Sequence, residues 1–106
     1  PNYAAAYNTM GNALQDQDKL DEAIASCNKA LALKPDFAAA YNSKGIALKE
    51  QGKLDEAIEA YNKALALKPD YAEACNNMGA TLKDQGKLDE AIEAYNKALS
   101  LKPDYA

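Results

Sequence analysis

Residues 45–71 read GIALKEQGKLDEAIEAYNKALALKPDY, and residues 79–105 read GATLKDQGKLDEAIEAYNKALSLKPDY. A weaker third copy runs from Gly11 to Phe37, so matching copies begin 34 positions apart. An array with such a period buries each unit against its neighbours, and three copies are about the minimum for stability. The chain is therefore predicted to be a stack of similar units rather than a globule with one central core.

The composition favours an all-α fold and argues against nucleic acid as a partner. Ala occurs 23 times, whereas Val, Trp, Arg and His are absent, so strong helix formers dominate and β-branched residues are scarce. The formal net charge is −4, and the 12 basic residues are lysines interleaved with acids. Nucleic-acid binding needs a basic stripe, preferably with arginine. We therefore expect no nucleic-acid partner.

No membrane partner is expected either. No apolar run approaches the roughly 18 residues of a spanning helix, and no secretory signal pattern opens the chain. The sequence starts within the repeat pattern at Pro1, so we interpret it as a slice of a longer array. The localisation stays open, with the cytoplasm as the default expectation.

Each unit is predicted to be an antiparallel pair of helices. In the middle unit, apolar and small residues follow helical spacing over residues 38–51, Gly52 interrupts the pattern, and the spacing resumes over residues 54–68. Pro69 ends the second helix, and Asp70 is expected to cap the next one. The short linkers force neighbouring helices to run antiparallel.

A fixed set of aromatic, small and proline positions recurs in all three units. The matching residues are Tyr7, Met10-Gly11, Ala23, Cys27, Ala30 and Pro35; Tyr41, Lys44-Gly45, Ala57, Tyr61, Ala64 and Pro69; and Cys75, Met78-Gly79, Ala91, Tyr95, Ala98 and Pro103. This pattern resembles the tetratricopeptide repeat family. The resemblance implies a right-handed α-solenoid of three helix pairs. It divides a single domain, residues 1–106, into repeats 4–37, 38–71 and 72–105, and the first helices line a concave groove.

Four residues depart from the pattern. Cys27 and Cys75 replace aromatics and lie two units apart, roughly 16–20 Å at ordinary helix spacing, so we expect two free, buried thiols. Lys44 replaces a large apolar residue, and its stem is expected along the groove wall, either with its ammonium simply in water or as a point charge beside the binding face. Asp18 replaces the interhelix glycine at a cost of up to about 1 kcal/mol, so the first unit is expected to be the least stable.

The residue inventory argues against catalysis. Without His the usual acid–base group at neutral pH is missing, and the two cysteines are too far apart to share a metal. No phosphate-binding glycine loop is present. We therefore expect a protein that is not an enzyme, with no cofactor and no metal.

The first helix of each unit carries the candidate binding residues. Repeats two and three differ at eight of 34 positions, and seven of these fall in the first 14 residues of the repeat. Selection for binding and neutral drift after duplication would both give this pattern. The candidate groove residues are Asn8, Thr9, Asn12, Asn42, Ser43, Ile46, Lys49, Asn76, Asn77 and Lys83.

The recurring asparagines suggest recognition of a peptide backbone. An amide offers a donor and an acceptor together, and the resemblance extends to tetratricopeptide arms of O-linked sugar transferases, where asparagine ladders are known. Our hypothesis is sequence-tolerant binding of an extended peptide. Family members that clamp a chaperone's terminal carboxylate use lysines and an arginine, but this chain has no Arg, and Glu73 would repel a carboxylate.

Three functions stay open at this point. The favoured one is a non-catalytic protein–protein interaction scaffold that binds an extended peptide or a partner helix in its concave groove. The second is a structural, self-assembling solenoid segment, because complementary end faces predict end-to-end stacking in crystals. The third is a targeting arm of a larger enzyme such as a sugar transferase.

Overall fold

The computed structural model describes residues 2–103, which form three consecutive pairs of α-helices. The helices are α1 (Tyr3–Asp16), α2 (Leu20–Leu33), α3 (Ala38–Glu50), α4 (Leu54–Leu67), α5 (Ala72–Asp84) and α6 (Leu88–Leu101). The predicted all-α class is confirmed, and each helix has 13 or 14 residues. The ends of the predicted domain, and positions 104 and 105 of repeat three, lie outside the described residues.

The turn inside each pair has a left-handed residue at the same repeat position. Gly52 and Gly86 have φ values of 80° and 79°, and Asp18 has φ 62°. Only glycine adopts this region without steric cost from a Cβ. The sequence-based expectation that Asp18 occupies a strained position is therefore confirmed.

The prediction that Asp70 caps the following helix is wrong. Tyr71 is the residue that precedes α5, and no side chain caps that helix. Asp70 lies one position too early, within the turn that follows Pro69. Side-chain capping occurs instead at α1, where Asn2 Oδ1 accepts a hydrogen bond from the Ala5 amide at 3.2 Å.

The packing order of the helices defines an inner and an outer layer. Each helix packs on the next along the chain, and α1 also contacts α3, as α3 contacts α5. Among the described residues, no Cα atom of the second helices α2, α4 and α6 lies within 8 Å of a Cα atom in another of these helices. The array therefore curves with its first helices on the concave side.

A glycine in each first helix makes close packing within the pair possible. A Cβ at Gly45 would lie 2.5 Å from Cε1 of Tyr61, and one at Gly79 would lie 2.9 Å from the Tyr95 ring. Tyr61 is fully buried and packs with Leu48 in the central core cluster. Within residues 2–103, no helix is both long enough and apolar enough to cross a membrane.

Candidate functional site

The ten candidate residues all lie on the first helices α1, α3 and α5, but they are not equally accessible. Thr9, Asn12 and Lys83 are exposed. The half-buried members are Asn8, Ile46, Lys49, Asn76 and Asn77.

Asn42 and Ser43 differ from this description, since both are buried at 7 % exposure. As candidate groove residues both were expected to be accessible to a ligand, and their burial corrects this expectation. The reason is that α3 contacts both α1 and α5, so one edge of its concave face is covered by its neighbours.

Two of the candidate asparagines bind each other across neighbouring repeats. Asn77 Nδ2 on α5 donates a hydrogen bond to Asn42 Oδ1 on α3 at 3.1 Å. This contact satisfies one donor and one acceptor, so the pair joins repeats two and three to each other. In the row of asparagines that the sequence suggested, Asn42 and Asn77 therefore already use part of their hydrogen-bonding capacity on each other.

The equivalent positions one repeat earlier, Asn8 and Ser43, have no such bond. Asn8 Oδ1 is buried and has no hydrogen-bond partner. Ser43 stands where repeat three has Asn77, and its side chain is too short to supply the same amide donor. An unsatisfied buried acceptor costs about 1–3 kcal/mol, so a ligand donor at this end of the groove would relieve that cost.

Charged and polar pairs follow one edge of the concave face. Gln15 Nε2 donates to Glu50 Oε1 at 3.1 Å, and one repeat later Lys49 Nζ lies 3.9 Å from Asp84 Oδ2. Lys49 is therefore already paired within the array, at a contact worth about 0–1 kcal/mol. Lys83, at the same position of repeat three, makes no such contact among the described residues.

A second repeating contact was not found from the sequence. Gln51 Nε2 donates to Asp21 Oδ1 and Gln85 Nε2 donates to Asp55 Oδ1, both at 2.6 Å, and each bond joins the residue after a first helix to the second helix of the preceding repeat. The sequence does contain a signal for this contact, because the glutamine and the aspartate are identical in all three copies of the repeat.

Lys44 lies outside the groove, which corrects the expectation for this residue. It is half-buried and lines a cleft with Glu56 and Glu59 of α4. Its counterpart Met78 lines the corresponding cleft beside α4 and α6. Lys44 therefore lies in a cleft between α3 and α4, which is also lined by Glu56, Glu59 and Lys63.

Both cysteines are free and buried, as expected from the sequence. Burial raises the pKa of the Cys27 thiol from 9.0 to about 11, against a smaller opposing effect of Lys44. Burial also raises the pKa of the Cys75 thiol. The thiolate is the reactive form of cysteine, so this environment suits packing rather than nucleophilic chemistry. The described residues contain no group of three or more His, Cys, Asp and Glu side chains placed to hold a metal.

A shallow cleft of about 400 Å³ lies away from the groove. Its lining residues are Tyr3, Tyr7, Lys29, Ala32 and Leu33. A matching cleft in repeat two is lined by Tyr41, Lys63, Ala66 and Leu67, together with Pro35. Because the cleft recurs with the repeat, it is a feature of the scaffold.

Comparisons with known proteins agree on the fold. Similar solved structures include MamA, with 33% sequence identity and a TM-score of 0.89 over 96% of this chain. The first TPR of Spaghetti (RPAP3), bound to the HSP90 peptide SRMEEVD, has 29% identity and a TM-score of 0.93 over 97% of this chain and 82% of that chain. The second TPR of the same protein, bound to the same peptide, has 24% identity and a TM-score of 0.90 over 94% and 93% of the two chains.

The present chain spans 60% of the MamA chain. A comparison of this chain with curated protein sequences found no match. The family models described as "Tetratricopeptide repeat" match residues 4–37, 72–105 and 26–59, and one described as "TPR repeat" matches residues 45–86. The chain belongs to the tetratricopeptide repeat family.

Proposed function

We propose that this chain is a protein-interaction scaffold whose concave face binds an extended segment of a partner protein. The observation that carries the proposal is the row of asparagines on α1, α3 and α5, of which Asn8, Asn12 and Asn76 make no side-chain hydrogen bond with another side chain among residues 2–103. Asn8 also holds a buried acceptor without a partner. A peptide amide is a donor that would satisfy it.

The spacing of the first helices suits an extended chain. Packed helices stand 8–10 Å apart, and an extended peptide advances about 3.3 Å per residue. The asparagine side chains of one first helix can therefore meet roughly every third residue of the peptide. Three first helices together span about six peptide residues. Because the contacts go to the peptide backbone, the proposal predicts tolerance of partner sequence.

The solved neighbours support peptide binding but not the same peptide. The first and second TPR of Spaghetti (RPAP3) are bound to the HSP90 peptide SRMEEVD. Recognition of a carboxylate favours the bidentate fork of arginine, whereas this chain has no Arg and carries an exposed Glu73 on α5. We therefore propose an internal, extended segment as the ligand rather than an acidic terminal peptide.

The test compares two triple variants of the same chemistry. Peptides are first selected from a library of random 12-residue sequences on the wild-type chain, and their affinities are then measured by fluorescence anisotropy. The groove variant changes Asn8, Asn12 and Asn76 to Ala and leaves the Asn42–Asn77 bond intact. The matched control changes Asn28, Asn62 and Asn96 to Ala, which are exposed asparagines of the second helices.

The groove variant is expected to bind selected peptides at least about tenfold more weakly, since each lost hydrogen bond contributes about 0.5–1.5 kcal/mol. The control variant is expected to bind like the wild type. Equal affinities of the groove variant and the wild type, or an equal loss in both variants, would contradict the proposal.

A further inference from the structure

A cleft of about 250 Å³ lies between repeats two and three, on the side of the array that the second helices form. The helix α5 packs on both α4 and α6 and forms the floor of the cleft between them. The lining residues are Ile58 and Asn62 of α4, Met78 and Leu82 of α5, and Glu90, Glu93, Ala94 and Lys97 of α6. The cleft shares none of these residues with the asparagine groove.

The floor of the cleft is apolar and held in place by the core. Met78 is half-buried and packs against both core clusters, and Leu82 is buried. Ala94 belongs to the same cluster as Leu82, and the half-buried Ile58 packs against it. The methylene groups of a ligand would therefore leave water for a fixed apolar surface.

The rim of the cleft carries two carboxylates. Glu90 and Glu93 are exposed, and neither forms an ion pair or a side-chain hydrogen bond within residues 2–103. They are three positions apart on α6, so their Cβ atoms are neighbours at about 5–6 Å. Lys97 lies one turn beyond Glu93 and leaves the Glu90 end the more negative. A single cation is therefore favoured at the Glu90 end.

The equivalent place in repeat two has much less space, about 70 Å³. Its lining residues are Tyr41, Lys44, Leu48, Glu56, Glu59, Ala60 and Lys63, and the last five recur unchanged 34 positions later. The two that differ are Tyr41 and Lys44, which stand where repeat three has Cys75 and Met78. The aromatic ring of Tyr41 occupies room, and Lys44 adds a positive charge. Repeat three thus combines the same carboxylates with an open, uncharged floor.

We propose that this cleft binds an arginine side chain of a partner protein. The planar guanidinium has five donors and can bridge the carboxylates of Glu90 and Glu93, while its aliphatic stem lies against Met78 and Leu82. Lysine fits less well, because its ammonium is a compact, strongly hydrated point charge. The side-chain oxygen of Asn62 is a further acceptor on the opposite wall. This site is independent of peptide binding in the asparagine groove.

The test uses the two methionines as reporters. The chain contains only Met10 and Met78, so ¹³C-methyl labelling of methionine gives one NMR signal in the cleft and one on α1 as an internal control. The probe is N-acetyl-L-arginine N-methylamide, and its uncharged isostere N-acetyl-L-citrulline N-methylamide is titrated in parallel. A ligand of this size is expected to have a dissociation constant of about 1 mM, so each titration extends to about 20 mM.

Two double variants of the same chemistry are compared. The first combines Glu90→Gln with Glu93→Gln, and the matched control combines Glu56→Gln with Glu59→Gln in the narrower cleft of repeat two. All four glutamates are exposed, and circular dichroism confirms that both variants are folded.

The arginine probe is expected to shift the Met78 methyl signal saturably and to leave Met10 unchanged. The citrulline probe, and the arginine probe on the Glu90 and Glu93 variant, are expected to bind at least about tenfold more weakly, which corresponds to one charge-assisted hydrogen bond. The control variant is expected to bind like the wild type. An absent or unsaturable Met78 shift, equal shifts of Met10 and Met78, equal affinities for the two probes, or an equal loss in both variants would overturn the inference.

Discussion

The replacement of Gly45 by Ala tests the packing within a repeat. The added methyl would lie 2.5 Å from Cε1, 2.8 Å from Cδ1 and 2.9 Å from Cζ of Tyr61. Carbon atoms pack favourably at about 3.5–4.0 Å, so several ring atoms have to move. Tyr61 is fully buried, with 0% exposure, and its ring is enclosed in the core cluster with Leu48, Ala57 and Ala60.

Two opposing effects decide the size of the change. Alanine stabilises a helix interior by about 1 kcal/mol relative to glycine. Overpacking of a filled core typically costs about 1–3 kcal/mol, and the enclosed ring of Tyr61 places this site at the upper end. Gly45→Ala is therefore expected to lower the free energy of unfolding by about 2 kcal/mol.

Gly79→Ala is the matched control. A methyl at Gly79 would lie 2.9 Å from Cδ1 and Cε1 of Tyr95. Tyr95 is only half-buried, so its ring can turn aside. Here the overpacking cost falls to about 1 kcal/mol and the helix preference of alanine offsets it. The net change is expected to be close to zero.

The assay is urea denaturation followed by circular dichroism at 222 nm, at concentrations low enough to keep the chain monomeric. The expected result is a lower midpoint for Gly45→Ala with an unchanged slope, which reports a loss of stability without a change in the surface exposed. A Gly45→Ala variant as stable as the wild type, or a larger loss at Gly79, would refute this reasoning.

Three further changes test separate features. Asp18→Gly is expected to add up to about 1 kcal/mol of stability by removing a left-handed non-glycine residue, and unchanged amide exchange in repeat one would contradict this. Ser43→Asn is expected to add about 1 kcal/mol by giving the Asn8 acceptor a partner, a gain that must vanish in an Asn8→Ala background. The native chain keeps the Cys27 proton up to about pH 11 whereas the unfolded chain loses it near pH 9, so wild-type stability falls with rising pH in this window. Between pH 9 and 11 the urea midpoint of Cys27→Ala is expected to fall less steeply with pH than that of the wild type. An equal pH dependence of the two midpoints would contradict a buried, neutral thiol.

The sequence predicted the helix pairs because their signals are local. The glycine at Gly52 and the proline at Pro69 each act within a few residues of the chain, and the 34-residue period repeats these local signals. The prediction for Asp70 was wrong by a single position. Tyr71, not Asp70, directly precedes α5, and the sequence pattern does not give the start of a helix to one residue.

The candidate site was predicted less completely because accessibility depends on neighbouring repeats. A helical wheel gives the direction of Asn42 within α3, but not that α1 and α5 cover that edge. The wheel also cannot show that Asn77 reaches Asn42 or that Lys44 stands beside α4. These facts depend on how one repeat is rotated relative to the next.

The most direct test of the account is to map a bound peptide onto the three helix pairs. A peptide selected on the wild-type chain is titrated into the ¹⁵N-labelled protein, and amide shift changes are followed by NMR. The largest changes are expected on the concave face of α1, α3 and α5, including the side-chain amides of Asn8, Asn12 and Asn76. Changes confined to α2, α4 and α6 would contradict the claim that the first helices form the binding face.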